Sequence, residues 1–126
     1  MDRLRILIVE DHPLFRKGLR TLIAGVDDFE LVGEASDGEQ AATIALELLP
    51  DVVLMDLQLP GQSGINAIRA IVAASPTTRI LVVTLFQDDD SVFAALRAGA
   101  RGYILKDTDE ADMIRAIRSI AAGESL

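Results

Sequence analysis

Five polar residues stand where short aliphatic runs end. Glu10 and Asp11 follow "ILIV", Asp56 closes "DVVLMD", Thr84 closes "RILVVT" and Lys106 closes "GYILK". Any one of them alone is what a strand looks like where it reaches the surface. Three carboxylates, a hydroxyl and an ammonium become a chemical proposition if the chain brings those ends together. At an effective dielectric near 20, unit charges about 4 Å apart interact by roughly 4 kcal/mol, so clustered acids call for a cation. Oxygen-only ligands suit a hard ion such as Mg²⁺, which takes few protein carboxylates and keeps several waters. A carboxylate in such a place can act as nucleophile toward a phosphoryl group, giving an acyl phosphate. Neutralising the phosphoryl oxygens then matters most, and the metal, Lys106 and Thr84 can each take one. The nucleophile belongs at the centre, which selects Asp56 on the third run, with Glu10 and Asp11 holding the metal.

The elements that would position these residues are legible in the hydrophobic pattern. The runs Arg5–Glu10, Asp51–Asp56, Arg79–Thr84 and Gly102–Lys106 are continuously aliphatic, as expected of parallel strands covered on both faces. A fifth, "FELVGEAS" (Phe29–Ser36), alternates more and reads as an edge strand. Between them lie helical patterns. The first carries Leu14, Phe15, Gly18, Leu19, Leu22 and Ile23 on one face, with Pro13 suited to its first turn. The second covers roughly 39–49 and the third roughly 65–74, before Pro76. The fourth starts in "DDDS", whose acids suit a helix N-terminus, and ends at Gly99; the fifth carries Met113, Ile114, Ile117, Ile120 and Ala121, with Gly123 after it. Strict β-α alternation implies an α/β fold, with a doubly wound parallel sheet and right-handed crossovers. In such sheets ligands bind beyond the carboxyl ends of the strands, where the five polar residues fall.

A chain of this length forms one domain and buries about two-thirds of its unfolded surface, without needing disulfides or a structural metal. It has no cysteine, its longest apolar runs are too short to span a bilayer, and no signal peptide is read at its start; a cytoplasmic protein is expected. A net charge of −8 argues against direct contact with nucleic acid.

Taken together, "VEDHP", "LMDLQLPGQSGI", "VVTLF" and "GARGYILKD" resemble the receiver domain of two-component response regulators over essentially the whole chain. The resemblance implies the CheY-like (βα)5 sandwich, strand order 2-1-3-4-5. It implies that Asp56 accepts a phosphoryl group from a sensor histidine kinase. Glu10, Asp11, Asp56 and the backbone carbonyl of Gln58 would then hold Mg²⁺ (or Mn²⁺). Thr84 and Lys106 would contact the phosphoryl oxygens, and Tyr103 would change rotamer with Thr84. "EDHPLFRKGL", "ALRAGARGYILKD" and "AIRSIAAGESL" resemble the NarL/FixJ group, whose receivers are joined to LuxR-type helix-turn-helix domains. That implies a receiver over 1–122 and, over 123–126, the start of a linker to a C-terminal domain that is not in this chain. DNA would be reached only through that domain, with homodimerisation on phosphorylation and no membrane partner. Two residues depart from the family pattern: Asp107 replaces the proline that often follows the lysine, and Leu85 is bulkier than the usual residue after the threonine.

Other classes remain to be weighed. A phosphohydrolase of the haloacid-dehalogenase kind also uses an Asp nucleophile but needs a second Asp two residues on, where this chain has Gln58; only slow self-dephosphorylation is expected, not enzymatic turnover. A flavodoxin-like FMN module would need a phosphate cradle where Glu10 and Asp11 repel phosphate. A stand-alone receiver acting through protein–protein contacts is the remaining alternative. His12 is expected to take a surface or capping role, and Asp88–Ser91 to cap the fourth helix.

Overall fold

The computed structural model describes residues 2–59, 64–85 and 88–124. In chain order the elements are β1 (Leu4–Val9), α1 (Pro13–Ala24), β2 (Phe29–Ala35), α2 (Gly38–Leu48), β3 (Val52–Met55), α3 (Gly64–Ala74), β4 (Arg79–Thr84), α4 (Asp89–Ala98), β5 (Gly102–Leu105) and α5 (Glu110–Ala121). All strand pairs are parallel, in the order β2-β1-β3-β4-β5, so the expected doubly wound sheet is present with β2 at its edge. No helix among the described residues is long and apolar enough to cross a membrane.

The continuous aliphatic runs are explained by two cores, one on each face of the sheet. Successive strand residues point to opposite faces. Leu7, Val9, Val53, Met55, Ile80 and Val82 meet Ala41 and Ala45 of α2, Ala67, Ile68 and Ile71 of α3, and Ala95 and Ala98 of α4. Their neighbours Ile6, Ile8, Val52, Leu54, Leu81 and Val83 meet Leu19, Leu22 and Ile23 of α1 and Met113, Ala116, Ile117 and Ile120 of α5. Neither face of the three inner strands can carry polar residues. In β2 the register slips between Ile6 and Leu7, so Val32 lies opposite no partner in the ladder.

Helix ends follow local chemistry, with exceptions. Pro13 opens α1 after His12, which takes the N-cap position, yet the His12 side chain makes no capping bond. Asp37 and Asp109 cap α2 and α5 by accepting from the backbone N–H of Gln40 and Asp112. Asp88 precedes α4, but its carboxylate accepts from the Ser91 hydroxyl at 2.8 Å instead of from a backbone N–H. The acids Asp89 and Asp90 still favour that helix end electrostatically. Gly99 ends α4 with φ of 122°, a value that favours glycine, and Gly123 follows α5 with φ of 92°. Gly123 and Glu124, the first residues of the expected linker, donate back to Ile120 and Ser119 O; Ser125 and Leu126 lie outside the described residues, as do Pro60–Ser63 and Phe86 of the quoted motifs. The expected single apolar face of α1 is only half realised: Leu19, Leu22 and Ile23 are buried, whereas Leu14 is 81% exposed and Gly18 faces an open groove.

Candidate functional site

Glu10, Asp56 and Lys106 lie one step past their strand ends and are still held by the sheet's backbone. Glu10 N–H donates to Ala35 O at 2.9 Å, Asp56 N–H to Val9 O at 3.0 Å and Lys106 N–H to Thr84 O at 2.8 Å. Each side chain therefore leaves a fixed point on the carboxyl edge of the sheet. All peptide bonds among the described residues are trans, including Lys106–Asp107.

Lys106 joins the two buried acids. Its Nζ lies 2.7 Å from Glu10 Oε1 and 3.2 Å from Asp56 Oδ2, and the three side chains are 6%, 2% and 4% exposed. The other oxygen of each carboxylate accepts from the backbone two residues on. Gln58 N–H reaches Asp56 Oδ1 at 3.1 Å, and His12 N–H reaches Glu10 Oε2 at 3.0 Å. Both carboxylates are thus clamped in the same way, between a turn amide and one shared ammonium.

This set is short of positive charge. Two buried carboxylates share a single ammonium, with exposed Asp11 beside them. Burial pushes the Glu10 carboxyl above its ordinary value, against the bonds from Lys106 and His12 N–H, and repulsion from Asp56 adds to the rise. Burial acts against the Lys106 charge too, but Glu10 and Asp56 outweigh it and hold its pKa above the ordinary lysine value. Ligand atoms of Glu10, Asp11 and His12 lie within 4.8 Å of one another. The carboxylates of Glu10 and Asp11, with buried Asp56 held to the same ammonium as Glu10, form a donor set that fits a hard divalent cation.

The remaining candidates occupy distinct places. Thr84 is buried at the end of β4. Tyr103 lies on β5 opposite Val82 and packs against the core that β1, β3 and β4 share with α2, α3 and α4. Gln58 is exposed, and the contact it makes with Asp56 is through its N–H. His12 is exposed and contributes its backbone N–H, while its neighbour Leu85 is 53% exposed.

Three further residues shape the site without having been assigned to it from the sequence. The Phe15 ring centroid lies 4.8 Å from Lys106 Nζ. Arg16 donates from Nη1 to Glu10 O at 3.2 Å while its Nε lies 3.5 Å from Glu34, tying α1 to the ends of β1 and β2. Gly64 starts α3 where a Cβ would lie 2.7 Å from Leu57 Cα and 2.8 Å from Asp56 O, so only glycine lets the helix approach this turn. A glycine eight residues after a candidate nucleophile was the one signal available for it.

Comparison with known proteins places these features in a family. The response regulator receiver domain family matches residues 6–118. The transcriptional regulatory protein YxjL of Bacillus subtilis (strain 168), itself uncharacterized, is 43% identical over 125 residues, covering 99% of this chain and 57% of that protein. The chain spans a little over half the length of the curated relatives it matches. A LuxR-family two-component response regulator from Aurantimonas sp. SI85-9A1 superposes with a TM-score of 0.92 at 40% identity, covering 98% of this chain and 89% of that one. The signal receiver domain of a response regulator designated NarL from Mycobacterium tuberculosis gives a TM-score of 0.94 at 32% identity, covering 98% and 100%. With the family matched across nearly the whole sheet and the relatives drawn from one group, the chain belongs to the response regulator receiver domains of two-component systems, of the NarL/LuxR type.

Proposed function

We propose that Asp56 is the phosphoacceptor of a switch, receiving a phosphoryl group from a phosphohistidine of a sensor histidine kinase. The observation that carries this reading is the setting of Asp56. It sits at the end of the central strand, 4% exposed, with Oδ1 fixed by Gln58 N–H and Oδ2 paired to Lys106. One carboxylate oxygen forms the bond to phosphorus as the P–N bond breaks. The imidazole nitrogen leaves with the bonding pair and takes up a proton. The Gln58 amide keeps the carboxylate plane from turning away, a positioning that lowers the entropic barrier. Lys106 shifts its charge from Asp56 Oδ2 to a phosphoryl oxygen, and the Thr84 hydroxyl donates to another. Glu10, Asp11, Asp56 and the Gln58 carbonyl would hold Mg²⁺ (or Mn²⁺), which would supply further positive charge against the phosphoryl oxygens.

Drawing Thr84 and Lys106 inward rearranges the ends of β4 and β5, with Tyr103 following, so that the α4–β5–α5 face changes. Self-association or contact with a C-terminal DNA-binding domain, reached by a linker starting at 123, is the proposed output of the receiver over 1–122. The half-length match to transcriptional regulators supports that arrangement. The protein acts in the cytoplasm as a switch, and its only turnover is slow loss of its own phosphoryl group.

Intact-mass analysis after incubation with Mg²⁺ and phosphoramidate tests the assignment. One phosphoryl adduct is expected on the wild type and none on Asp56→Asn. An adduct that persists in Asp56→Asn would remove Asp56 from this role. Sizing with and without beryllofluoride reads the dimerisation step separately, with a larger species expected in its presence.

A further inference from the structure

We propose that Phe15 is a positioning residue for Lys106, its ring face holding the ammonium beside Glu10 and Asp56 and guiding it toward a phosphoryl group on Asp56. The proposal rests on the phosphoacceptor reading for its consequence but not for its geometry. An ammonium has three N–H donors and no acceptor. Glu10 Oε1 and Asp56 Oδ2 take two of them, at 2.7 and 3.2 Å. The Phe15 ring lies on the cation at 4.8 Å, inside the range of about 6 Å over which an aromatic face attracts a charge. Lys106 and Phe15 also line the same open groove with Leu14 and Gly18, yet only 6% of the lysine side chain is exposed.

The ring itself is anchored. Phe15 packs on the α1–α5 core, and the next residue, Arg16, bonds to Glu10 O. The first turn of α1 is therefore fixed relative to the carboxylates that the lysine bridges. Lys106, by contrast, stands on the loop after β5, where the chain continues into exposed Asp107. Without the ring, the long lysine stem has many rotamers that carry its charge out into the groove.

A ring face also suits a cation that has to move. A hydrogen bond holds the ammonium at one angle and distance, whereas the ring's quadrupole attracts it over a broad area. As Lys106 passes from Asp56 Oδ2 to a phosphoryl oxygen it can exchange one acceptor for another without leaving the face. An aliphatic side chain of similar size would pack against the stem but would not attract the charge.

The test separates attraction from packing by comparing Phe15→Leu and Phe15→Trp with phenylalanines fluorinated at position 15, which keep the ring's shape while draining its face. In NMR spectra without phosphodonor, the Lys106 ε-methylene protons are expected upfield from the ring current in wild type and Phe15→Trp, and at ordinary shifts in Phe15→Leu. With Mg²⁺ and phosphoramidate, Phe15→Leu is expected to form adduct about threefold to tenfold more slowly, with rate restored in Phe15→Trp and falling stepwise with fluorination. The Mg²⁺ concentration for half-maximal rate stays within about twofold, because the metal's ligands are untouched. An unchanged rate in folded Phe15→Leu, or no response to fluorination, overturns the proposal. Absence of the upfield shift in wild type overturns it as well, whatever the rates. Absence of adduct on wild type overturns the phosphoacceptor reading instead, and the NMR comparison then decides the position of Lys106 by itself.

Discussion

Replacing Lys106 with methionine removes the charge that two buried carboxylates share and leaves a side chain of similar length. The gross attraction lost is large: at 2.7 and 3.2 Å, with an effective dielectric near 20, each pair amounts to about 5–6 kcal/mol. Much of that is offset because the ammonium no longer has to be desolvated. What remains unpaired is Glu10 and Asp56, 2% and 4% exposed, each left with one turn amide. Removing one partner of a buried pair costs about 3–5 kcal/mol. Lys106 lines an open groove, so water can enter the space its ammonium vacates, and we take the lower end, about 3 kcal/mol. With unfolding entropy of about 2.1 cal/mol/K per residue, a 126-residue chain loses roughly 4 °C of Tm per kcal/mol, or about 11 °C in all. Thermal unfolding followed by far-UV circular dichroism in EDTA measures it. Adding Mg²⁺ is expected to recover more stability in Lys106→Met than in wild type, since a divalent cation answers the same shortage of charge. A Tm in EDTA within about 2 °C of wild type, equivalent to under 1 kcal/mol, would refute the reasoning, because it would mean that desolvation cancels both ion pairs.

Gly64→Ala places a methyl against the backbone of Asp56 and Leu57, so a loss of about 1–3 kcal/mol is expected by denaturant titration, together with slower adduct formation by intact mass. Gly18→Ala has the opposite sign: a Cβ there meets nothing within 4 Å, so helix propensity alone applies, and a gain of about 1 kcal/mol is expected in the same titration. The pH dependence has two limbs. Lys106 has its pKa raised in the fold, so its contribution is fully present below its unfolded value of 10.5 and is lost as pH rises through the higher folded value. Urea unfolding in EDTA between neutral and alkaline pH is expected to show this loss in wild type and not in Lys106→Met. Glu34 and Asp28 are held below their ordinary values by hydrogen bonds from Arg20 and Arg118. Their contribution is present above the unfolded values of 4.5 and 3.8 and disappears as pH falls through the lower folded ones. Arg118→Gln is expected to flatten the acid limb, and an unchanged acid limb would show that the Asp28 pair contributes nothing.

The strands were legible because burial on both faces leaves no room for polar residues; a run such as "ILIV" or "VVLM" suits an inner parallel strand and little else. The ends of the strands were also nearly right, since the first polar residue marks where the cover of helices stops. The convergence of Glu10, Asp56, Thr84 and Lys106 on one edge followed from topology alone. Contacts between elements that are remote in sequence were not legible. Nothing in "HPLFRKG" says which way α1 is turned, so Phe15 on Lys106 and the exposure of Leu14 depend on how that helix packs over β1 and α5. Polar side chains also choose among local partners of similar energy, which is why Asp88 binds the Ser91 hydroxyl while Asp37 and Asp109 cap their helices. The ties of Arg20 to Glu34 and of Arg118 to Asp28 belong to the same class, as long side chains meeting across elements.

Tyr103 is the chain's one tyrosine, and there is no tryptophan. Ultraviolet emission excited near the tyrosine absorption band therefore comes from a single ring, on the strand that leads into Lys106 and opposite Val82. The molecule carries an unlabelled optical reporter of one address. Intensity, anisotropy and quencher access at that address can be followed on a stopped-flow timescale without deconvolution. A rearrangement of β5 would be seen as it happens, in the native chain.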